Sequence, residues 1–470
     1  MTQRRACPPA PGPLEDFAVG FDDLFGTLAQ RRGFRAYLQG LLLPRDRNKT
    51  LTALAGAEPV VGAQAPAVQR LQFFLSEAPW DAEALNARRL EVLLGDPATT
   101  PHDRGVLVID DTGDRKKGTR TAHVGRQYLG SVGKIDVGVV AVSSLWADER
   151  VYYPLHVRPY TPAKRLPKGQ QDPAFRSKPQ LAVELVDAAL AAGVPFRAVV
   201  ADCAYGDNLG FEEALEEAGL PFVLALKAGK GVWEPLAPTQ TPEEVARRLP
   251  WRGPRRPGPW ARLERRFRDG HRETWWAAEL AFAGYGPDKT WRAVVATTDP
   301  GTLPPETTAY LTTNLPRPGA PRAADAGPEP ADLAEVVRLY GLRQWVEQGY
   351  KQVKRELGWA DFQVRADRAI RRHWALVCCA FSFCWRAWFA APPAGAAARE
   401  KRGAAKRQSH RLPLLAADAA AGARLAGPLE LPGALLARVV ARAPAPGTAS
   451  AARLGRGRSA ARPLSPALTN

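Results

Sequence analysis

Two apolar runs that each end in a carboxylate, "VLVIDD" at 106–111 and "AVVAD" at 198–202, constrain this chain most. Short β-rich runs bounded by turns read as strands, and carboxylates at the C-terminal ends of neighbouring strands point into one crevice, where α/β folds build their sites. Strand alternation sends Asp110 and Asp111 to opposite faces, so only one of them joins a given site.

The runs sit in a longer order. "GVLVID", "KIDVGVVAVSSLW" and "VYYPLHV" read as three strands. A helix around Gln180 to Ala192, the strand "FRAVVAD", a helix near Leu209 to Ala218 and the strand "PFVLALK" follow. That order is mixed α/β. Residues 16–100 carry helical patterns broken by Pro and Gly and are expected to form a helical DNA-binding or dimerisation domain after a disordered stretch, 1–15. Residues 101–227 form the first part of the core. Residues 228–331, with "TWWAAELAF", "TWRAVVATT" and "TAYLTTNL", read as a β-rich insertion. Helices return over 332–390. A tail, 391–470, rich in Ala, Pro and Arg, is expected to be largely disordered.

One helical stretch, "YGLRQWVEQGYKQVK" at 340–354, lines up four side chains. At helical pitch Tyr340, Arg343, Glu347 and Lys354 share an arc of about 60°. Leu339, Leu342, Val346, Val353 and Leu357 form an apolar face beside them. An isolated Arg343–Glu347 pair would be an ordinary i, i+4 ion pair on a solvated surface. Beside two strand-end aspartates, Glu347 reads instead as a third carboxylate converging on the crevice. Such a set repels itself unless a cation sits between, and hard oxygen ligands suit Mg²⁺ or Mn²⁺. Two ions about 3.5–4 Å apart would activate a water or a 3′-hydroxyl against a phosphodiester.

The charge agrees with a polyanionic partner. The chain carries net +17; from Arg399 onward 13 basic against 3 acidic residues contribute +10, and +17 less +10 leaves +7 for the rest. The five cysteines contain no CxxC pair and the histidines no HExxH pattern, so neither a disulfide framework nor a zinc site is indicated. The N-terminus has no secretory signal, and the apolar stretch from Trp374 is interrupted by Arg386, so a buried helix and a cytoplasmic protein without a membrane span are expected.

With every interval in place, Tyr340-x₂-Arg343-x₃-Glu347-x₆-Lys354 resembles the Tyr-Arg-Glu-Lys signature of bacterial insertion-sequence transposases of the DDE type. "IDDTG", "VVADCAYGDN" and "AYLTTNL" resemble the strand-end motifs of that group, most closely insertion-sequence family 701. The resemblance covers roughly residues 16–389. It implies an RNase H-like core, with Asp111, Asp202 and Glu347 as catalytic metal ligands, Asp111 being the Asp that precedes Thr. It further implies Mg²⁺ or Mn²⁺, two ions, and Tyr340, Arg343 and Lys354 positioning DNA. Double-stranded DNA is the implied partner, as element inverted-repeat ends and target, held by a homodimer on DNA. Lys116, Lys117, Arg120, Arg126 and Lys134 follow the first Asp in a Gly-rich stretch and fit a loop tracking phosphates.

The expected activity is end cleavage and strand transfer. Two alternatives stay open: a catalytically silent DNA-binding derivative, and a nuclease of the same fold without strand transfer. An aspartic protease is disfavoured because no second DTG or DSG exists in the chain.

Overall fold

The computed structural model describes residues 5–234, 237–266, 271–324 and 327–390. The expected disordered tail, 391–470, lies outside them.

The chain opens with helices α1 (Gly12–Ala18), α2 (Leu28–Leu42), α3 (Leu51–Leu54), α4 (Pro66–Ser76) and α5 (Ala82–Gly95). Thr27 caps α2 in a capping box with Gln30, each side chain accepting the other's backbone N–H. The expectation of disorder over 1–15 is corrected for its described part, 5–15. Arg31 donates to the Arg5 carbonyl, and the Glu15 carboxylate accepts the Ala10 N–H and pairs with Arg35 at 2.6 Å. These contacts tie the leading segment down.

The core follows as β1 (Val106–Arg115), β2 (Gly125–Leu129), β3 (Lys134–Ala147), β4 (Tyr152–Tyr160), α6 (Lys178–Ala191), β5 (Ala198–Ala201), α7 (Cys203–Gly206), α8 (Leu209–Glu217) and β6 (Phe222–Leu226). Strand β1 pairs antiparallel with β3 and parallel with β5; β3 pairs antiparallel with β4, and β5 parallel with β6. Taking β1, β3, β4, β5 and β6 as first to fifth, the order across the sheet is 3-2-1-4-5, the RNase H-like arrangement. The near-continuous apolar runs of β5 and β6, fully buried, are what a sheet covered on both faces requires.

The insertion contributes β7 (Val232–Glu234), β8 (Ala237–Gln240), α9 (Pro242–Arg248), β9 (Ala261–Arg266), β10 (Arg272–Leu280), β11 (Arg292–Thr297) and β12 (Thr308–Thr313). Its long strands do not form a separate sheet. β12 pairs antiparallel with β6, and β11, β10 and β9 continue the same sheet outward. A second apolar cluster, including Trp260, Trp276 and Leu280, backs this extension.

The chain returns through α10 (Leu333–Gly341), α11 (Gln344–Arg355) and α12 (Asp367–Ala390). The single helix expected over 340–354 is two. Arg343, Trp345 and Val346 donate to carbonyls three residues back, so a tight 3₁₀ step replaces the α ladder between α10 and α11. Helix α12 buries most of its length between α2, α4, α5 and β4, joining the N-terminal helices and the sheet in one apolar cluster. Trp385, with no exposed surface, packs edge-on against Tyr152 and donates to its carbonyl at 2.7 Å. Truncating such a side chain costs about 3–5 kcal/mol. No helix among the described residues is long and apolar enough to cross a membrane.

Candidate active site

The parallel register pairs Ile109 with Ala201, so the next residues, Asp110 and Asp202, emerge side by side at the end of β5. Asp202 caps the short helix α7, accepting the Ala204 N–H at 2.9 Å. Across the antiparallel pair Asp110 faces Ser143, whose hydroxyl is 2.6 Å from the Tyr350 hydroxyl on α11. Asp110 therefore lies on the face covered by α11.

One guanidinium holds the acidic groups of that face together. Arg343, at the step between α10 and α11, reaches Asp110 at 3.0 Å, Asp202 at 3.5 Å and Glu347 at 3.1 Å. Burial pushes the Asp110 carboxyl up to about 7, against the pull of Arg343 and with the help of the Asp202 charge. For Arg343, burial acts to weaken the cation, and the charges of Asp110, Tyr340, Asp202 and Glu347 outweigh it, so it is held above its ordinary range. Glu347 keeps 69% of its side chain exposed.

Asp111 points the other way. Its carboxylate pairs with Lys178, the first residue of α6, at 3.0 Å and accepts from the Tyr205 hydroxyl at 3.4 Å. Ser177 caps α6 in a second capping box, which fixes where Lys178 starts. The trio read from the sequence is thus split: Asp202 and Glu347 share Arg343, and the β1 carboxylate that joins them is Asp110. Asp111 meets the hydroxyl of Tyr205, three residues beyond Asp202. Alternation was visible in the sequence; which face α11 covers was not.

The other expected contacts sort by burial. Lys354 pairs with Asp114, further along β1 than Asp110 and Asp111, at 2.7 Å. Tyr340 lines a cavity of about 310 Å³ between α10, α11 and the insertion strands, with Arg265, Trp275 and Glu347; burial raises its hydroxyl to about 12. Lys117, Arg120, Arg126 and Lys134 are exposed. Lys116 is not available to phosphate as placed. Its ammonium donates to the carbonyls of Ala360 and Phe362 at 2.7 and 2.8 Å and lies over the Phe362 ring, and burial lowers it to about 8. Sequence reasoning also missed Lys178, and gave no role to Tyr205 and Tyr350, although they lie within "VVADCAYGDN" and "YGLRQWVEQGYKQVK".

The donor set fits a hard divalent cation: every candidate ligand is a carboxylate oxygen, and a guanidinium already supplies positive charge among three of them. As placed, no three such groups among the described residues stand close enough to hold an ion.

A sequence profile of the DDE superfamily endonuclease family matches residues 20–282. A probable transposase for insertion sequence element IS701 from Microchaete diplosiphon is 32% identical over 365 residues, covering 77% of this chain and 85% of that relative. The piggyBac transposase synaptic complex with hairpin DNA matches with 11% identity and a TM-score of 0.39, over 88% of this chain and 71% of that one. At that distance the strand order, not the likeness, carries the fold.

Proposed function

Since the chain belongs to the DDE superfamily endonucleases, among transposases like that of IS701, we propose that it binds the inverted-repeat ends of an insertion sequence, cuts their 3′ ends and joins them to target DNA. The observation that carries this reading is the convergence of Asp110, Asp202 and Glu347 on Arg343 at the ends of two parallel strands. Strand ends of this kind are where such sheets bind ligands, and phosphodiester transfer needs clustered carboxylates with basic groups beside them.

Asp202, Glu347 and one aspartate of β1 are the residues that would hold the cation, Mg²⁺ or Mn²⁺, as two ions. The resemblance assigns the β1 place to Asp111; the shared Arg343 favours Asp110. When bound, the cation activates the attacking oxygen and steadies the leaving one. The chain's own residues do the rest. Glu347, exposed and on the first turn of α11, closes on the strand ends. Arg343, released from the carboxylates, is placed to take a phosphate oxygen, as its planar fork suits. Lys354 and Tyr340 border the path on either side, and the exposed Lys117, Arg126 and Lys134 follow the backbone. Two ends must be held together, which calls for a homodimer on DNA.

The test is a single gel series with the inverted repeats that flank the gene, as labelled duplexes with Mg²⁺ or Mn²⁺. End cleavage followed by joining to a target plasmid supports the proposal. Tight binding without cleavage at any metal concentration identifies a silent binder. Cleavage without joining identifies a nuclease.

A further inference from the structure

Strands β2 and β3 form a hairpin that continues past the end of the acidic crevice. Its inner side is fixed by Leu129, which has no exposed surface. A Cβ on Gly113 or Gly138 would come within 2.8 or 2.7 Å of the Leu129 methyls, so both positions need glycine for the hairpin to lie down on β1. The Ser131 hydroxyl donates to the Gly113 carbonyl at 2.5 Å and locks the turn. Gly113 is two residues beyond Asp111, and its carbonyl accepts from Lys354 at 3.4 Å, so the hairpin springs from the rim of the site.

The outer face is different. Pairing sets Tyr128 opposite Ile135 and Arg126 opposite Val137, and opposed residues share a face. Tyr128 is 58% exposed and Ile135 59%, next to the exposed Val137. Asp136 is engaged by Arg115 at 2.7 Å. Arg126, exposed on this face, makes no ion pair with a carboxylate among the described residues, whereas Lys134 pairs opposite Leu129 on the other face, where its charge acts on Asp136. An apolar pair bordered by the exposed Arg126, on a two-stranded ribbon beside the acidic crevice, has the composition of a wedge that parts a base step while its flank holds a phosphate.

We propose that Tyr128 and Ile135 insert into target DNA and open a base step next to the strand-transfer site. This rests on the transposase reading above. The target, rather than the element's end, is the occupant because the face offers apolar contact and charge but almost no groups that read base edges. A target has to be accepted without a fixed sequence.

The experiment uses the full chain, cognate ends cleaved beforehand, and target duplexes carrying 2-aminopurine, fully paired or with one mismatch. Wild-type protein is expected to raise 2-aminopurine fluorescence at the joined position. Y128A/I135A is expected to lose that rise and to lose at least about tenfold in strand transfer into paired target, since parting a step costs a few kcal/mol. A mismatch, already unstacked, should restore most of the transfer. Loss of transfer should exceed any loss of end cleavage. R126A, in contrast, should weaken target binding on paired and mismatched DNA alike and flatten its salt dependence.

Equal fluorescence and transfer for Y128A/I135A and wild type would overturn the wedge. So would an equal loss on paired and mismatched targets accompanied by a smaller oligomer in sedimentation, which would make the face a contact between copies. If wild-type protein joined no ends at all, the transposase reading itself would fall, and the wedge with it.

Discussion

The two faces of strand β1 treat adjacent aspartates differently. On the α11 face Asp110 is 8% exposed, shares Arg343 with Asp202 and Glu347, and has its carboxyl raised to about 7 by burial. On the α6 face Asp111 keeps 21% of its side chain exposed and meets one lysine, itself 29% exposed. The same residue type, one position apart, is a buried acid under a shared guanidinium on one side and a partly exposed ion pair on the other. Local sequence cannot produce that contrast; it comes from which helix covers which face. It also makes the choice of metal-facing aspartate an experimental question with a defined answer.

The largest expected effect ignores the contrast, because Asp202 stands beside both faces. Asp202→Asn removes a hard ligand worth several kcal/mol of charge stabilisation, so metal-dependent end cleavage should fall by about 10³-fold or more. Cleavage at the wild-type rate would place the chemistry elsewhere. Asp110→Asn against Asp111→Asn then sharpens the comparison. If the α11 face carries the metal, Asp110→Asn matches the Asp202 loss, while Asp111→Asn costs about 10–100-fold as a supporting group. The reverse order in the same assay would return the ligand role to Asp111.

A third prediction needs no activity. An acid whose folded pKa is raised, from its ordinary 3.8 to about 7, binds more protons folded than unfolded across that window. Its contribution to stability is therefore present at low pH and lost as pH rises through 7. In EDTA, wild-type thermal stability should fall between pH 5 and 8 more steeply than that of Asp110→Asn. Glu212, also raised to about 7 by burial, adds to the slope in both proteins and cancels in the difference. Saturating Mn²⁺ should flatten the wild-type curve, because an ion replaces the proton. Identical slopes in EDTA would mean that Asp110 is already ionised against Arg343.

Much of this was legible in the sequence. The apolar runs of β1, β3, β4, β5 and β6 and the helices between them follow from periodicity, and with them the succession of elements along the chain; the RNase H-like arrangement of those strands was implied by the resemblance alone. The edge strands β2 and β9 were not legible, since "GRQYL" and "ARLERR" carry too few apolar residues to mark a strand. Nor was it visible that β12 would extend the catalytic sheet, because β6 offers its free edge only once folded. The Arg343–Glu347 spacing was readable, as an i, i+4 pair survives the 3₁₀ step. Arg343 reaching Asp110 across 233 residues was not.

The smallest effect tests the solvated side. Lys178→Met removes the only cation paired with Asp111 among the described residues. Both partners keep a fifth or more of their side chains in water, so the pair is screened, and the loss of stability should stay within about 1 kcal/mol. Asp111 also keeps the Tyr205 hydroxyl. Arg343→Met on the other face is the control, because it leaves Asp110 buried without its counter-charge and should cost about 3–5 kcal/mol, less whatever protonation of Asp110 recovers. Measured by urea unfolding in EDTA at pH 8, where Asp110 is ionised, the gap between the two variants should be wide. It should narrow at pH 5, where a protonated Asp110 no longer needs the guanidinium. A gap that did not change with pH would mean that Arg343 is held by packing rather than by the acid beneath it.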